Sequence, residues 1–171
     1  MLKNKKIMIF AEKEFEDLEL LYPKLRLIEE GAEVVVAGLG EKQYIGKKGY
    51  PVDTDGKIQD YSPDDFDALI IPGGWAPDYL RRASSVLDFT RKMHEKKKII
   101  AFICHAGWVP ISAGILKGRK VTGVNAIKDD LANAGAAYLD QSVVVDGNLI
   151  SSRRPPDLPD FCRAIIKALS K

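Results

Sequence analysis

Cys104 and His105 stand where an apolar run, Ile99-Ile-Ala-Phe-Ile103, gives way to the small residues Ala106-Gly107. That pattern reads as a buried strand turning at once into a helix. A thiol at such a turn faces helix N-terminal amides, which favour the thiolate, the reactive form of cysteine. Cys104 is therefore expected to titrate below an ordinary thiol and to act as a nucleophile on an elbow, with Cys in place of Ser. His105 is a candidate acid/base for substrate protons. Neighbouring side chains tend to diverge at a turn, so direct contact between imidazole and sulfur is not expected. On this segment alone, a packing cysteine at a strand end is an equally good reading.

Two further segments offer groups for the same chemistry. Glu14-Phe-Glu-Asp-Leu-Glu19 follows a short strand over 6–10 and opens a helix. Acids in a first helical turn complement the dipole and cap free amides, which accounts for most of these carboxylates. One of Glu14, Glu16 and Glu19, if turned towards Cys104, is its proton partner, with a raised pKa. Pro72-Gly-Gly-Trp75 ends a strand over 66–71. Gly73 and Gly74 let backbone amides point into a concavity, as an oxyanion hole requires, although Gly-Gly also makes an ordinary tight turn. His94 reads as a surface residue and Cys162 as a packing residue of the last helix.

The elements that must position these groups are legible from the pattern. Helices are expected over 17–30, with Leu18, Leu21, Leu25 and Ile28 at helical spacing, and over 85–97, 106–116, 127–134 and 158–169. Strands are expected over 6–10, 33–37, 66–71, 99–103 and 119–122, with a hairpin over 142–151 signalled by Asp146-Gly147. Alternation of strand and helix implies an α/β fold with a doubly wound, mostly parallel sheet, helices on both faces. Sites on such sheets lie beyond the carboxyl ends of strands. All three chemical segments fall at such ends, and their convergence says more than any one of them.

Composition narrows the function further. A chain of 171 residues fits one domain over 1–171, and 46% hydrophobic with 29% charged residues describes an ordinary globular protein. A net charge of +2 is too small to indicate nucleic acid. Two cysteines make no disulfide framework, so reduced thiols and a cytoplasmic setting are expected. No apolar N-terminal leader and no membrane-length apolar run is seen, so no membrane partner is expected. Two histidines and two cysteines lack zinc-ligand spacing, and no phosphate-binding loop is present. The expectation is a site without metal or other cofactor.

Taken in order, Glu14-Phe-Glu-Asp-Leu-Glu19, Pro72-Gly-Gly74, Ala101-Phe-Ile-Cys-His105, Lys128-Asp-Asp130, Val143-Val-Val-Asp-Gly147 and Ser151-Ser-Arg153 resemble the PfpI intracellular protease family. That family is glyoxalase III-like and belongs to the superfamily of the Parkinsonism-associated deglycase and the class I glutamine amidotransferases. The resemblance implies a flavodoxin-like fold with Cys104 as nucleophile. It implies Glu16 as the carboxyl group against the sulfur, His105 as acid/base, and the Gly74 and His105 amides as oxyanion donors. Gly73, Trp75, Ala106, Trp108 and Arg153 are expected to line the site. The resemblance also implies a homodimer, or a hexamer in which a neighbour's carboxylate at the position of Asp78 orients His105. Here that residue is Asp, one methylene shorter than the family's Glu. Ala106-Gly107-Trp108 and Val124-Asn125 also depart from the family's usual residues. Trp75 and Trp108, if both wall the pocket, narrow it towards small substrates.

Three functions compete on this reading. The first is a cysteine-dependent enzyme of the glyoxalase III or deglycase kind, converting small reactive carbonyls such as methylglyoxal to hydroxy acids such as lactate without metal or glutathione. The second is an intracellular cysteine peptidase. The third is a redox-sensing stress protein or chaperone, in which Cys104 is oxidised.

Overall fold

The computed structural model describes residues 1–170. In chain order its elements are β1 (Lys6–Phe10), α1 (Asp17–Glu29), β2 (Glu33–Gly38), β3 (Gln43–Ile45), β4 (Pro51–Asp53), β5 (Gly56–Lys57) and β6 (Ala68–Ile71). There follow α2 (Ala76–Leu80), α3 (Ser84–Glu95), β7 (Ile99–Ile103), α4 (Trp108–Ser112), β8 (Lys120–Val121) and α5 (Lys128–Asn133). The chain closes with β9 (Ala137–Tyr138), β10 (Val143–Asp146), β11 (Leu149–Ser152) and α6 (Leu158–Leu169).

Seven strands form one sheet in the order β10-β11-β7-β6-β1-β2-β5. All its pairs are parallel except β10 with β11, the hairpin read from the sequence. Gly147 opens the hairpin's two-residue loop at φ +60°. Every residue of β6 and β11 is buried, as strands covered on both faces require. Ser151 and Ser152 are admitted to that interior because both are hydrogen-bonded. Ser151 Oγ accepts from Thr122 N at 2.8 Å, and Ser152 Oγ donates to Ser142 O at 2.7 Å. This is the mostly parallel architecture expected from the alternation, and the flavodoxin-like fold that the resemblance implies. No helix among the described residues is long and apolar enough to cross a membrane.

The winding locates the site. From β1 the chain moves through α1 to β2 on one side, then returns to lay β6 on β1's other side. The crevice beyond β1 and β6 is therefore the topological switch point. There the segment after β1 meets the segment after β6. Phe15 and Gly74 form an isolated antiparallel bridge, Glu16 N donates to Gly73 O at 3.1 Å, and Trp75 N donates to Glu14 O at 2.9 Å.

Two helices differ from expectation. The helix expected over 106–116 is a 3-10 turn, Cys104–Gly107, followed by the five-residue α4. Gly114, at φ +73°, breaks off any continuation, and Pro110 falls within the first turn of α4, where its missing N–H costs nothing. In α1 the apolar stripe picked out by spacing does not face the core. Leu18, Leu25 and Ile28 are exposed, whereas Glu19, Leu20, Pro23 and Leu27 are buried. The face turned inward thus carries a carboxyl group.

Candidate active site

Cys104 follows the last residue of β7 and adopts φ +62°. A residue with a Cβ pays about 1–3 kcal/mol for that conformation, which persists only where the surroundings enforce it. The left-handed turn brings Cys104 Sγ to 3.3 Å from His105 Nδ1. The expected divergence of these two side chains is thus overturned, because it presumed an ordinary backbone at Cys104. The amides of Gly74 and His105 favour the charged sulfur and pull its pKa down. Burial outweighs them and, with the field of Glu19, pushes the thiol up to about 12. The low-titrating thiol expected from the helix terminus is therefore corrected: desolvation of the charged form wins over amide stabilisation.

The carboxyl group against the sulfur is Glu19, not Glu16. Glu19 is fully buried, and its Oε2 accepts from Gly73 N at 2.8 Å. Among the described residues, its Oε1 has no hydrogen-bond partner. Burial pushes this carboxyl up to about 8, with the Gly73 amide pulling the other way. At neutral pH Glu19 thus carries a proton beside Cys104, and the two groups titrate as a coupled pair. Glu16, one turn earlier, points to the hairpin between β3 and β4 and ion-pairs Lys47 Nζ at 2.7 Å.

His105 lies between two indoles. Its ring centroid is 5.5 Å from that of Trp75 and 5.1 Å from that of Trp108. Trp108 is fixed in turn: Nε1 donates to Asp130 Oδ2 at 2.9 Å, and the Arg81 guanidinium lies over its ring. Burial, then the charge of Lys47, lowers the His105 pKa, so the imidazole is neutral at pH 7. Trp75 and Trp108 thus flank His105 beside the sulfur.

Other expected residues are placed elsewhere or used differently. Asp78 ion-pairs Arg82 one helical turn away. Ala106 is fully buried in the core and offers no accessible surface to a substrate. Arg153 donates from Nε and Nη2 to Asp157 at 2.9 and 3.1 Å, and from Nη1 to Asp140 at 2.8 Å. Its guanidinium is committed to pinning the segment after β11, which removes it as a substrate anchor. The Gly73 amide serves Glu19 and is not free for an oxyanion, leaving Gly74 and His105 as the donors. His94, expected on the surface, is half-buried, with Nδ1 3.3 Å from Asn148 Nδ2.

Gly73 has a second role. A Cβ built there would lie 2.5 Å from Glu19 Oε2 and 2.7 Å from Cys104 Cβ. Gly73→Ala must therefore wedge the two apart. The expected outcome is a loss of about 100-fold in Cys104-dependent turnover, the scale of a 1 Å displacement. Overpacking adds a destabilisation of about 1–3 kcal/mol. Steady-state rates and denaturant melts of the variant check both; unchanged turnover would mean that Glu19 and Cys104 need not stay in register.

Sequence reading missed Lys47, Asp17 and Asp130 as parts of the site. Asp17 accepts from the amides of Lys48 at 2.9 Å and Tyr50 at 3.0 Å, which clamps the hairpin turn to α1. Its signal, an acid in a first helical turn, is shared with every capping carboxylate.

The family model described as DJ-1/PfpI matches residues 5–168. A protein of Thermococcus kodakarensis named deglycase TK1284 is 48% identical over 164 residues, covering 96% of this chain and 99% of its own. One of Pyrococcus furiosus named deglycase PfpI is 46% identical with the same coverage. Among solved structures, a two-domain protein from Anabaena variabilis with DJ-1/ThiJ/PfpI-like and ferritin-like domains superposes with a TM-score of 0.95 at 42% identity. That match covers 97% of this chain and 48% of the larger one, so the chain spans about half of it. Drosophila melanogaster DJ-1beta gives a TM-score of 0.91 at 29% identity, covering 96% of this chain and 90% of its own.

Proposed function

The chain belongs to the DJ-1/PfpI family, and we propose that it is a cysteine-dependent enzyme acting on small reactive carbonyls, of the deglycase and glyoxalase III kind. The observation that carries this reading is the grouping at Cys104: a thiol on a left-handed turn, two amides directed at it, a neutral imidazole at 3.3 Å and a carboxyl group protonated at neutral pH. Relatives named deglycase support the same chemistry.

In the proposed reaction His105 takes the Cys104 proton as the sulfur adds to an aldehyde carbon. A C–S bond forms, and the carbonyl electron pair becomes an oxyanion facing the Gly74 and His105 amides. The hydrogen on that carbon leaves as a proton to a base, and the enediol is reprotonated at the neighbouring keto carbon. Water then cleaves the resulting hydroxyacyl thioester and restores the thiol. Methylglyoxal and one water give lactate and a proton, with no outside oxidant or reductant. On a glycated amine, the hemiaminal of the same aldehyde, the sulfur displaces the nitrogen: a C–S bond forms as the C–N bond breaks, the amine leaves with the thiol's proton, and the same hemithioacetal results. The alternative peptidase reading gains no support from Asp78, which is tied to Arg82 within the chain.

The test is proton NMR of methylglyoxal with the purified protein, without added glutathione or metal, before and after alkylation of Cys104. Lactate that disappears on alkylation supports the reading. Absence of lactate from the unmodified protein overturns it for this substrate, and a glycated amine is the second probe.

Self-association belongs to the same proposal. Leu18 at 55%, Leu25 at 64% and Ile28 at 46% exposure form an apolar stripe on α1, directly after the acidic segment of the site. A second copy of the chain is the proposed cover. Leu25→Glu is expected to convert a dimer or larger assembly to smaller particles in light scattering; an unchanged mass would place the contact elsewhere.

A further inference from the structure

The turn between β3 and β4, Gly46-Lys47-Lys48-Gly49, is held over the site by more than the Asp17 clamp. Lys47 N donates to Phe15 O at 2.9 Å, and Phe15 is bridged to Gly74, whose amide faces the sulfur. A Cβ on Gly46 would lie 2.6 Å from the Asp17 carboxylate, so the turn sits tightly on α1. Lys47 is thereby carried on a fixed backbone, not on a loose loop.

Its ammonium is paired with Glu16, but unequally exposed. The Lys47 side chain is 38% accessible and that of Glu16 is 11%. A solute approaching from solvent meets the cation before the carboxylate. The field of Lys47 reaches the chemistry: Cys104 and Glu19 raise its pKa after the larger effect of Glu16, and it helps to lower that of His105. The other groups around the sulfur are uncharged at neutral pH, with Glu19 protonated, His105 neutral and Cys104 a thiol. Lys47 and Glu16 are then the charged pair an incoming molecule encounters beside the nucleophile, and one ammonium has three N–H groups to share between two carboxylates.

We propose that Lys47 selects substrates by charge, so that carbonyl compounds carrying a carboxylate a few bonds from the reacting aldehyde are preferred over neutral ones. The substrate class rests on the aldehyde reading above. For 4,5-dioxopentanoate, the sulfur adds to the aldehyde carbon, the hydrogen there passes as a proton to the keto carbon, and water releases the thioester. The aldehyde carbon is oxidised to a carboxylate and the keto carbon reduced to an alcohol. One water is consumed, one proton is released and 2-hydroxyglutarate results, while the distant carboxylate remains unreacted against the ammonium.

The test compares alkylation of Cys104 by iodoacetate, an anion, with alkylation by iodoacetamide, its neutral counterpart. Rates are read by peptide mass spectrometry at pH 7 and low salt. Lys47→Met is expected to lower the iodoacetate-to-iodoacetamide rate ratio by about tenfold, the scale of one partly screened charge nearby. Glu16→Gln removes the competing carboxylate and is expected to raise the ratio severalfold. An unchanged ratio in Lys47→Met, or a lowered one in Glu16→Gln, overturns charge selection. A second arm measures kcat/KM for 4,5-dioxopentanoate against methylglyoxal, whose quotient is expected to fall in Lys47→Met in step with the alkylation ratio. If the wild type turns over neither aldehyde, the aldehyde reading fails and the substrate class with it, while the alkylation ratio still decides whether Lys47 draws anions to the sulfur.

Discussion

Cys104→Ala is expected to lower aldehyde turnover by at least about 10³-fold while leaving the fold intact. The variant keeps the amides of Gly74 and His105 and the neutral imidazole, so it retains everything that holds a carbonyl oxygen. It lacks the atom that forms the bond. Cys104→Ser is expected to fail nearly as completely. A hydroxyl is a far weaker acid than a thiol, and His105, whose basicity burial has lowered, is poorly placed to deprotonate it. Both variants still place a Cβ at the positive φ of position 104, so the backbone cost is carried over unchanged. Stability should therefore move by less than about 2 kcal/mol, within the common range for a single substitution. Lactate formation by NMR and a thermal melt by circular dichroism read the two quantities separately. Turnover retained by Cys104→Ala would move the chemistry to another group; a collapsed melt would make the thiol a packing residue.

The sheet was open to sequence reading because its central strands β1, β6 and β7 are nearly continuous apolar runs. β1 falls on the residues expected, and β6 and β7 deliver Pro72-Gly-Gly74 and Cys104-His105 to one edge. The identity of the buried carboxyl was not open in the same way. Glu16 and Glu19 are three residues apart, so both fall near one face of α1. Which of them reaches the sulfur depends on which side of α1 meets the sheet. Two interleaved sets of residues on α1 satisfy helical spacing. Leu18, Leu21, Leu25 and Ile28 is the more apolar set, but Glu19, Leu20, Pro23 and Leu27 is the one that packs inward. An apolar stripe identifies the core face only when nothing else is available to cover it, and here the stripe projects outward. The contact between Cys104 and His105 was hidden for a different reason. It depends on one backbone dihedral, at a residue with a Cβ, in a conformation that no local propensity favours. Lys47 was hidden by distance, since nothing in a glycine-flanked turn announces that the turn folds back over a helix N-terminus.

Glu19→Gln is expected to make the protein more stable in alkali and to remove the alkaline decline of its activity. In the folded chain this carboxyl is held at about 8 against an ordinary 4.5, first of all by burial. The folded state therefore keeps a proton that the unfolded state gives up. The stability this provides is fully present below pH 4.5, falls as pH rises, and is lost once pH passes about 8. A displacement of that size corresponds to about 4–5 kcal/mol, at the upper end for a group coupled to a neighbouring thiol. Glutamine has nearly the same shape and keeps an oxygen to accept from Gly73 N, but it has no proton to lose. Denaturant midpoints measured from pH 5 to pH 9 should slope downward for the wild type and run nearly flat for the variant, with the curves diverging as pH rises. The rate should follow the same group. Above about pH 8 the wild type places a carboxylate beside the sulfur, and its field is, after burial, what holds the thiol up and opposes formation of the thiolate. The quotient of kcat/KM at pH 9 and pH 7 should accordingly be larger in Glu19→Gln than in the wild type. Parallel stability curves would mean that Glu19 is ionised in the folded protein at neutral pH. The sulfur would then face a permanent negative charge, and the transfer of its proton to His105 would have to be redrawn with His105 as the cationic member.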